Sequence, residues 1–172
     1  MPLTPFHLGI GLFLGLACYR WLDFPTLCVG TVIVDTRSIA IYFGPFTGNL
    51  HGPLHTLIGG TFLAGVLAAA MFKLKPYWNL IAGPVGLAQN RSISKILAAS
   101  IVGVYTHLIL DAIMHSDMQP FYPLEGNPLY GALYLSDLYV ICFSGFLFGF
   151  LLYPIHVYRW KRGPILRKFS SE

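Results

Sequence analysis

Charge is what this chain lacks. Only 10% of its 172 residues are Asp, Glu, Lys or Arg, whereas 55% are hydrophobic, and an average soluble domain carries about 25% charged residues. So few charges cannot cover a soluble globule of this length. Disorder is excluded as well, because 15% aromatic residues and a mean hydropathy of +0.64 are the reverse of a disordered composition. Cysteine is scarce: Cys18, Cys28 and Cys142 sit in apolar sequence with no Cys-x-x-Cys spacing, so they read as small core residues rather than a disulfide framework. A positively charged leader is also missing, since the first nineteen residues have no basic opening before their apolar run, which argues against a signal peptide. The class that remains is an all-α integral membrane helical bundle, and the length fits one domain over residues 1–172.

Five apolar stretches fit membrane helices, at residues 7–19, 25–35, 53–72, 96–115 and 129–158. The second is short and is completed by residues 38–46. A further apolar piece at 77–88, broken by Gly83-Pro84 and Gly86, reads as an interfacial or re-entrant segment. The sequence therefore predicts about five spans plus that segment. Gly11-x-x-x-Gly15 and Gly145-x-x-x-Gly149 have the spacing of close helix-packing faces.

Basic residues set the expected orientation. Arg20, Lys73, Lys75, Arg91 and Lys95 fall in two of the connecting loops, and Arg159, Lys161, Arg162, Arg167 and Lys168 lie in a basic tail at 159–172. The loop at 116–128 has Asp117 and Glu125 and no Lys or Arg. Placing the basic loops inside puts the N-terminus outside and the C-terminus in the cytoplasm of an inner (plasma) membrane, with Arg37 left on the outer side. A basic tail after an apolar run faces anionic lipid headgroups, so the expected partner is membrane lipid, not nucleic acid. Oligomeric state is not encoded in any legible way.

The rare ionisable groups inside the apolar runs are the informative ones. His51 and His55 are four apart at the start of the third stretch, and His107, Asp111 and His115 are spaced i, i+4, i+8 along the fourth. Residues four apart on a helix share a face. His7 begins the first stretch, Asp35 ends the second, and Asp137 lies near the start of the fifth. In the topology above all eight fall in the outer leaflet. His156 reads as a packing residue, and Asp23 and Asp117 as helix caps or water-facing groups. Asp111 differs, because a carboxylate well inside a span costs roughly 2.5–3.5 kcal/mol on insertion scales and requires a partner.

Imidazole and carboxylate donors without thiolate suit zinc, with manganese or iron as alternatives. The eight candidate ligands, His7, Asp35, His51, His55, His107, Asp111, His115 and Asp137, exceed what one zinc uses, so two or three ions sharing a carboxylate are expected. Asp111 is the best placed to bridge. A paired site of this kind activates water and clamps both oxygens of an in-line displacement at phosphorus.

The motifs also carry a resemblance. Thr4-Pro5-Phe6-His7-Leu8-Gly9, then Val34-Asp35, then His51-Gly52-Pro53-Leu54-His55-Thr56, then His107-Leu108-Ile109-Leu110-Asp111-Ala112 resemble, in that order, the motifs of the membrane-bound metal-dependent hydrolase family, the YdjM-like inner-membrane proteins. That family is thought to be distantly related to zinc-dependent phospholipases C and single-strand nucleases. The resemblance implies that His7, Asp35, one or both of His51 and His55, His107 and Asp111 are metal ligands, with His115 where a further one is expected. The chain departs from the family at Gly52-Pro53, which replace an Arg-Gly pair, at Leu54, which replaces Thr, and at Arg37, which stands where a second Asp is usual. Arg37 is then the residue to contact phosphate in place of the missing Arg.

The leading expectation is a membrane-embedded metal-dependent hydrolase, a phosphoesterase on a lipid or lipid-linked phosphate, with Asp111, Asp35 and Arg37 as its catalytic residues. Two alternatives belong to other classes. A haem-binding electron-transfer protein would use two histidines such as His55 and His107 as axial ligands. A metal or proton transporter would need polar residues continuing to the inner side, and residues 63–72 and 96–104 hold almost none.

Overall fold

A computed structural model describes residues 4–44 and 47–162. Among these residues every regular element is helical: α1 (Thr4–Ala17), α2 (Phe24–Ile33), α3 (Thr36–Phe43), α4 (Leu57–Ala82), α5 (Ile93–Met114), α6 (Leu135–Arg162) and a 3-10 turn at Pro53–His55. The expected all-α class is what the chain adopts. Arg167 and Lys168 of the basic tail, and the end of the 38–46 stretch, lie outside the described residues.

Among the described residues the five expected spans are not confirmed. α4, α5 and α6, with 26, 22 and 28 residues, are long and apolar enough to cross a membrane. α2 and α3 make a fourth span only if the 44° bend between them is counted as one broken helix. α1 has 14 residues, about 21 Å at 1.5 Å per residue, against a hydrocarbon core of about 30 Å. Five full spans are therefore not found.

Caps explain where the helices start. The Asp23 carboxylate accepts from the Thr26 amide at 3.2 Å and the Thr26 hydroxyl at 2.6 Å, and Pro25 occupies the first turn of α2. Thr56 caps α4 by accepting from the Gly59 amide at 3.0 Å. The third helix therefore begins after His55, not at residue 53. At its other end α4 runs through Pro76 to Ala82, so the expected interfacial or re-entrant segment at 77–88 is largely the last turns of α4 followed by a turn at Gly83–Gly86.

α1 packs on α6 and α2, α2 packs on α5, and α5 packs on α4. Both glycine pairs are packing faces: Gly11 and Gly15 abut Thr31 and Phe24 of α2, and Gly145 and Gly149 abut Gly9 and Leu12 of α1. A Cβ on Gly145 would lie 2.6 Å from the Gly9 backbone, so the α1–α6 crossing requires the small residue. Between α2 and α5, a Cβ on Gly30 would come 3.1 Å from the Gly103 Cα; the two backbones touch midway along the bundle.

The two ends of the bundle differ. At one end stand the starts of α1, α4 and α6 and the ends of α2 and α5. At the other lie Arg20, Lys73, Arg91, Lys95 and the Arg159, Lys161 and Arg162 turn of α6. Lys75 does not belong with these loop cations. It is 0% exposed inside α4 and forms an ion pair with the buried Asp23 carboxylate. Gln89 completes this polar knot, accepting from the Phe24 amide at 2.8 Å and donating to the Tyr19 and Leu22 carbonyls. Asp23 is thus a cap, as expected, but a dry one. His156 is a packing residue, bonded to the Gly86 carbonyl at 2.8 Å and set against the Tyr19 ring.

Removing one partner of a buried ion pair strands the other. Lys75→Met is expected to lower stability by about 3–5 kcal/mol, read from denaturant unfolding in detergent. Adding Asp23→Asn, which keeps the N-cap but removes the stranded charge, should recover most of that loss.

Candidate metal centre

The end of the bundle opposite the basic residues gathers most of the sequence candidates. Asp35 sits at the bend between α2 and α3, His55 closes the 3-10 turn, and His107 and Asp111 lie one turn apart on α5. All four are buried, and one donor atom from each lies within 4.8 Å of the others. The nearest approaches are His107 Nε2 to Asp111 Oδ2 at 3.1 Å, His55 Nε2 to Asp35 Oδ1 at 3.5 Å, His107 Nε2 to Asp35 Oδ1 at 3.6 Å and His55 Nε2 to Asp111 Oδ2 at 3.8 Å. His7, from the first turn of α1, adds its Nε2 at 3.3 Å from the other oxygen, Asp111 Oδ1. Asp111 therefore presents one oxygen to His7 and the other to His55 and His107.

Whether these residues fit an ion can be tested on their hydrogen bonds. His107 Nδ1 lies 2.9 Å from the Thr31 carbonyl, one of the last carbonyls of α2 and so without an intrahelical partner. A carbonyl only accepts, so Nδ1 carries the proton and a neutral ring turns the Nε2 lone pair toward two carboxylates. Acceptor facing acceptor is repulsive unless a cation lies between them. His107 Nε2 and both nitrogens of His55 make no hydrogen bond, although they are buried. With the ring neutral such a nitrogen presents a lone pair, and these converge on the same carboxylate oxygens. Tetrahedral zinc with bonds of about 2.0–2.1 Å separates its ligand atoms by about 3.3 Å, and the observed separations of 3.1–3.8 Å bracket that value. A histidine ligand whose other nitrogen donates to a backbone carbonyl is the usual second layer of such a site. The residues fit a divalent ion.

A second group stands beside the first. His51, His115 and Asp117 also offer donor atoms within 4.8 Å of one another. His51 Nδ1 is 2.8 Å from Asp117 Oδ2, and the His51 ring centroid lies 4.2 Å from that of His115 and 5.0 Å from that of His55. Burial pushes His115 below the ordinary histidine value despite the nearby carboxylates, which keeps a lone pair available at neutral pH. Partial burial raises Asp117, but the hydrogen bond and charge of His51 prevail and hold its carboxyl below the usual value.

Helix spacing accounts for only part of this assembly. His107 and Asp111 act as the i, i+4 pair that the sequence suggests. His115, however, is the extended C-cap of α5 and turns to the second group. His51 and His55 do not share a helix face; they meet because the chain turns through the 3-10 segment. Asp137, in the first turn of α6, is exposed and outside both groups. Asp117 is the residue sequence reasoning passed over. Its side chain is 60% exposed, as expected of a water-facing acid, yet it pairs with His51. Its signal was position, two residues beyond His115. Arg37 donates to the Asn49 carbonyl at 2.7 Å at the edge of the second group.

No family model, curated protein or solved structure matches this chain.

Elemental analysis of protein purified without chelator is expected to find a stoichiometric transition metal. His107→Ala and Asp111→Ala should each remove metal from the buried group, weakening affinity by more than the about 10–100-fold that second-layer changes cost. Asp137→Ala should leave metal content unchanged.

Proposed function

We propose that the protein is a membrane-embedded metal-dependent hydrolase, a phosphoesterase acting on a lipid or lipid-linked phosphate. The observation that carries this reading is the convergence of buried His55 and His107 nitrogens on the Asp35 and Asp111 carboxylates at 3.1–3.8 Å. His7, Asp35, His55, His107 and Asp111 would hold one or two ions, Asp111 facing His7 with one oxygen and His55 and His107 with the other, and His51, His115 and Asp117 would hold a further one. Divalent ions held there would supply a Lewis acid and an activated water for in-line displacement at phosphorus. Zinc suits this donor set best, with manganese or iron as alternatives.

The chain's own residues divide the remaining work. The Thr31 carbonyl fixes the His107 ring and its tautomer. Asp35 and Asp111 offset the positive charge of the ions in a site that excludes most water. Arg37, at the rim, supplies a cation to a phosphate oxygen. The same proposal includes kinship with the membrane-bound metal-dependent hydrolases, an outward-facing site in the outer leaflet of the inner membrane, and a cytoplasmic C-terminus. The gathering of basic residues at the other end of the bundle supports that orientation.

The alternatives are less well supported. Haem ligation by His55 and His107 requires a flat slot between the rings, and the Asp35 and Asp111 oxygens stand within 3.8 Å of both nitrogens there. A transporter requires polar residues that continue from the site toward the other side, and residues 63–72 and 96–104 hold almost none.

Purified protein screened against phosphate-ester lipids should release phosphate or the phosphorylated headgroup, lose that activity on chelation and regain it with zinc. Asp111→Asn is expected to lower kcat at least about 100-fold. A purified protein without stoichiometric metal, or one showing a Soret band, would sink the reading.

A further inference from the structure

The two donor groups are supported very differently. His107 and Asp111 hang from a long helix, His115 caps its end, and His55 closes a turn that leads into a capped helix. His51 comes from irregular chain between α3 and the 3-10 turn, where no helix fixes it. Two side chains of α3 reach that chain. Arg37 Nη1 donates to the Asn49 carbonyl at 2.7 Å and reaches the Leu50 carbonyl at 3.5 Å. Ser38 Oγ donates to the Leu50 carbonyl at 2.7 Å. The same first turn of α3 follows Asp35 of the buried group, so one short helix addresses both groups.

Position 52 is shaped to receive this clasp. Gly52 has φ of −104°, which any residue adopts, so its backbone does not demand glycine. Its surroundings do. A Cβ there would fall 2.2 Å from Arg37 Nη1 and 2.5 Å from Arg37 Cζ. The guanidinium occupies the space a side chain at 52 would need. Arg37 and Gly52, both departures from the hydrolase motifs, are a matched pair.

We infer that Arg37 is the positioning residue of the second donor group: it clasps the Asn49 and Leu50 carbonyls across Gly52 and so holds His51 in register with His115 and Asp117. The inference rests on the reading of both groups as metal sites. Because the guanidinium is the far end of a flexible side chain, a methyl at 52 displaces Arg37 rather than the backbone, and Gly52→Ala tests the clasp without deleting it.

The experiment titrates the detergent-purified, metal-stripped full chain with Co²⁺, reading its visible absorption and the bound equivalents. Wild type should show two classes of site. His51→Ala identifies the outer class by abolishing it. Arg37→Ala and Gly52→Ala should each weaken that same class by about 10–100-fold, the usual effect of losing second-layer support, and leave the inner class unchanged, which also shows that the variants fold. Arg37→Lys, able to reach one carbonyl, should fall between. The double variant Arg37→Ala/His51→Ala should be no worse than His51→Ala alone, since Arg37 acts through His51. Wild-type affinity at both classes in Arg37→Ala, equal loss at both, or additive losses in the double variant overturns the positioning role while leaving the metal reading intact. A wild type with fewer than two classes overturns the inference at its base, and one that binds no Co²⁺ overturns the metal reading too.

Discussion

Two carboxylates, Asp35 and Asp111, are buried among apolar helices and meet the ring nitrogens of three histidines. An ionised carboxylate in that setting is tolerated only with compensating positive charge, and the architecture around it follows from this requirement. α2 stops after ten residues, which frees the Thr31 carbonyl to orient His107 and turns the chain at Asp35. α4 waits for a 3-10 turn before it begins, which brings His55 inward. α1 contributes His7 from its first turn. Each irregularity at this end of the bundle aims a donor at the same small volume, whereas the long runs of α4, α5 and α6 are regular.

The opposite end meets a similar constraint in another way. Asp23 and Lys75 neutralise each other, and Thr26 and Gln89 take up the remaining hydrogen-bonding capacity nearby. None of the side-chain polar atoms of Asp23, Thr26, Lys75 and Gln89 is left without a hydrogen-bond partner, so the knot reads as structure. At the His/Asp end, the buried His55 nitrogens and His107 Nε2 converge on the carboxylates with no hydrogen-bond partner of their own. The contrast between two buried polar clusters in one small bundle is what separates a pin from a site.

The helical fold and most residues of the buried His/Asp group were legible in the sequence, because a charge-poor chain reveals its few ionisable residues against an apolar background. His107 and Asp111 were placed correctly since their geometry is local to one helix. What could not be read depended on how the chain departs from regular helix. His51 and His55 meet through a turn, His115 leaves its helix row at the C-cap, and Asp117 joins only after that departure. Lys75 counted as a loop cation until α4 proved to continue through Pro76, because an internal proline, usually a helix breaker, is tolerated in a helix of this kind. The five spans are not confirmed, because apolar length alone registers neither how short α1 is, with 14 residues, nor the 44° bend between α2 and α3. Asp137, at the right sequence depth, stays outside because α6 presents it to the exterior.

The Gly30–Gly103 contact has a mechanical meaning. With no side chain between them, α2 and α5 meet backbone to backbone, and a Cβ at either glycine would push the two helices apart. Asp35 follows one of those helices and His107 and Asp111 ride on the other, so the spacing of the buried donors is set as much by two absent side chains as by the donors themselves.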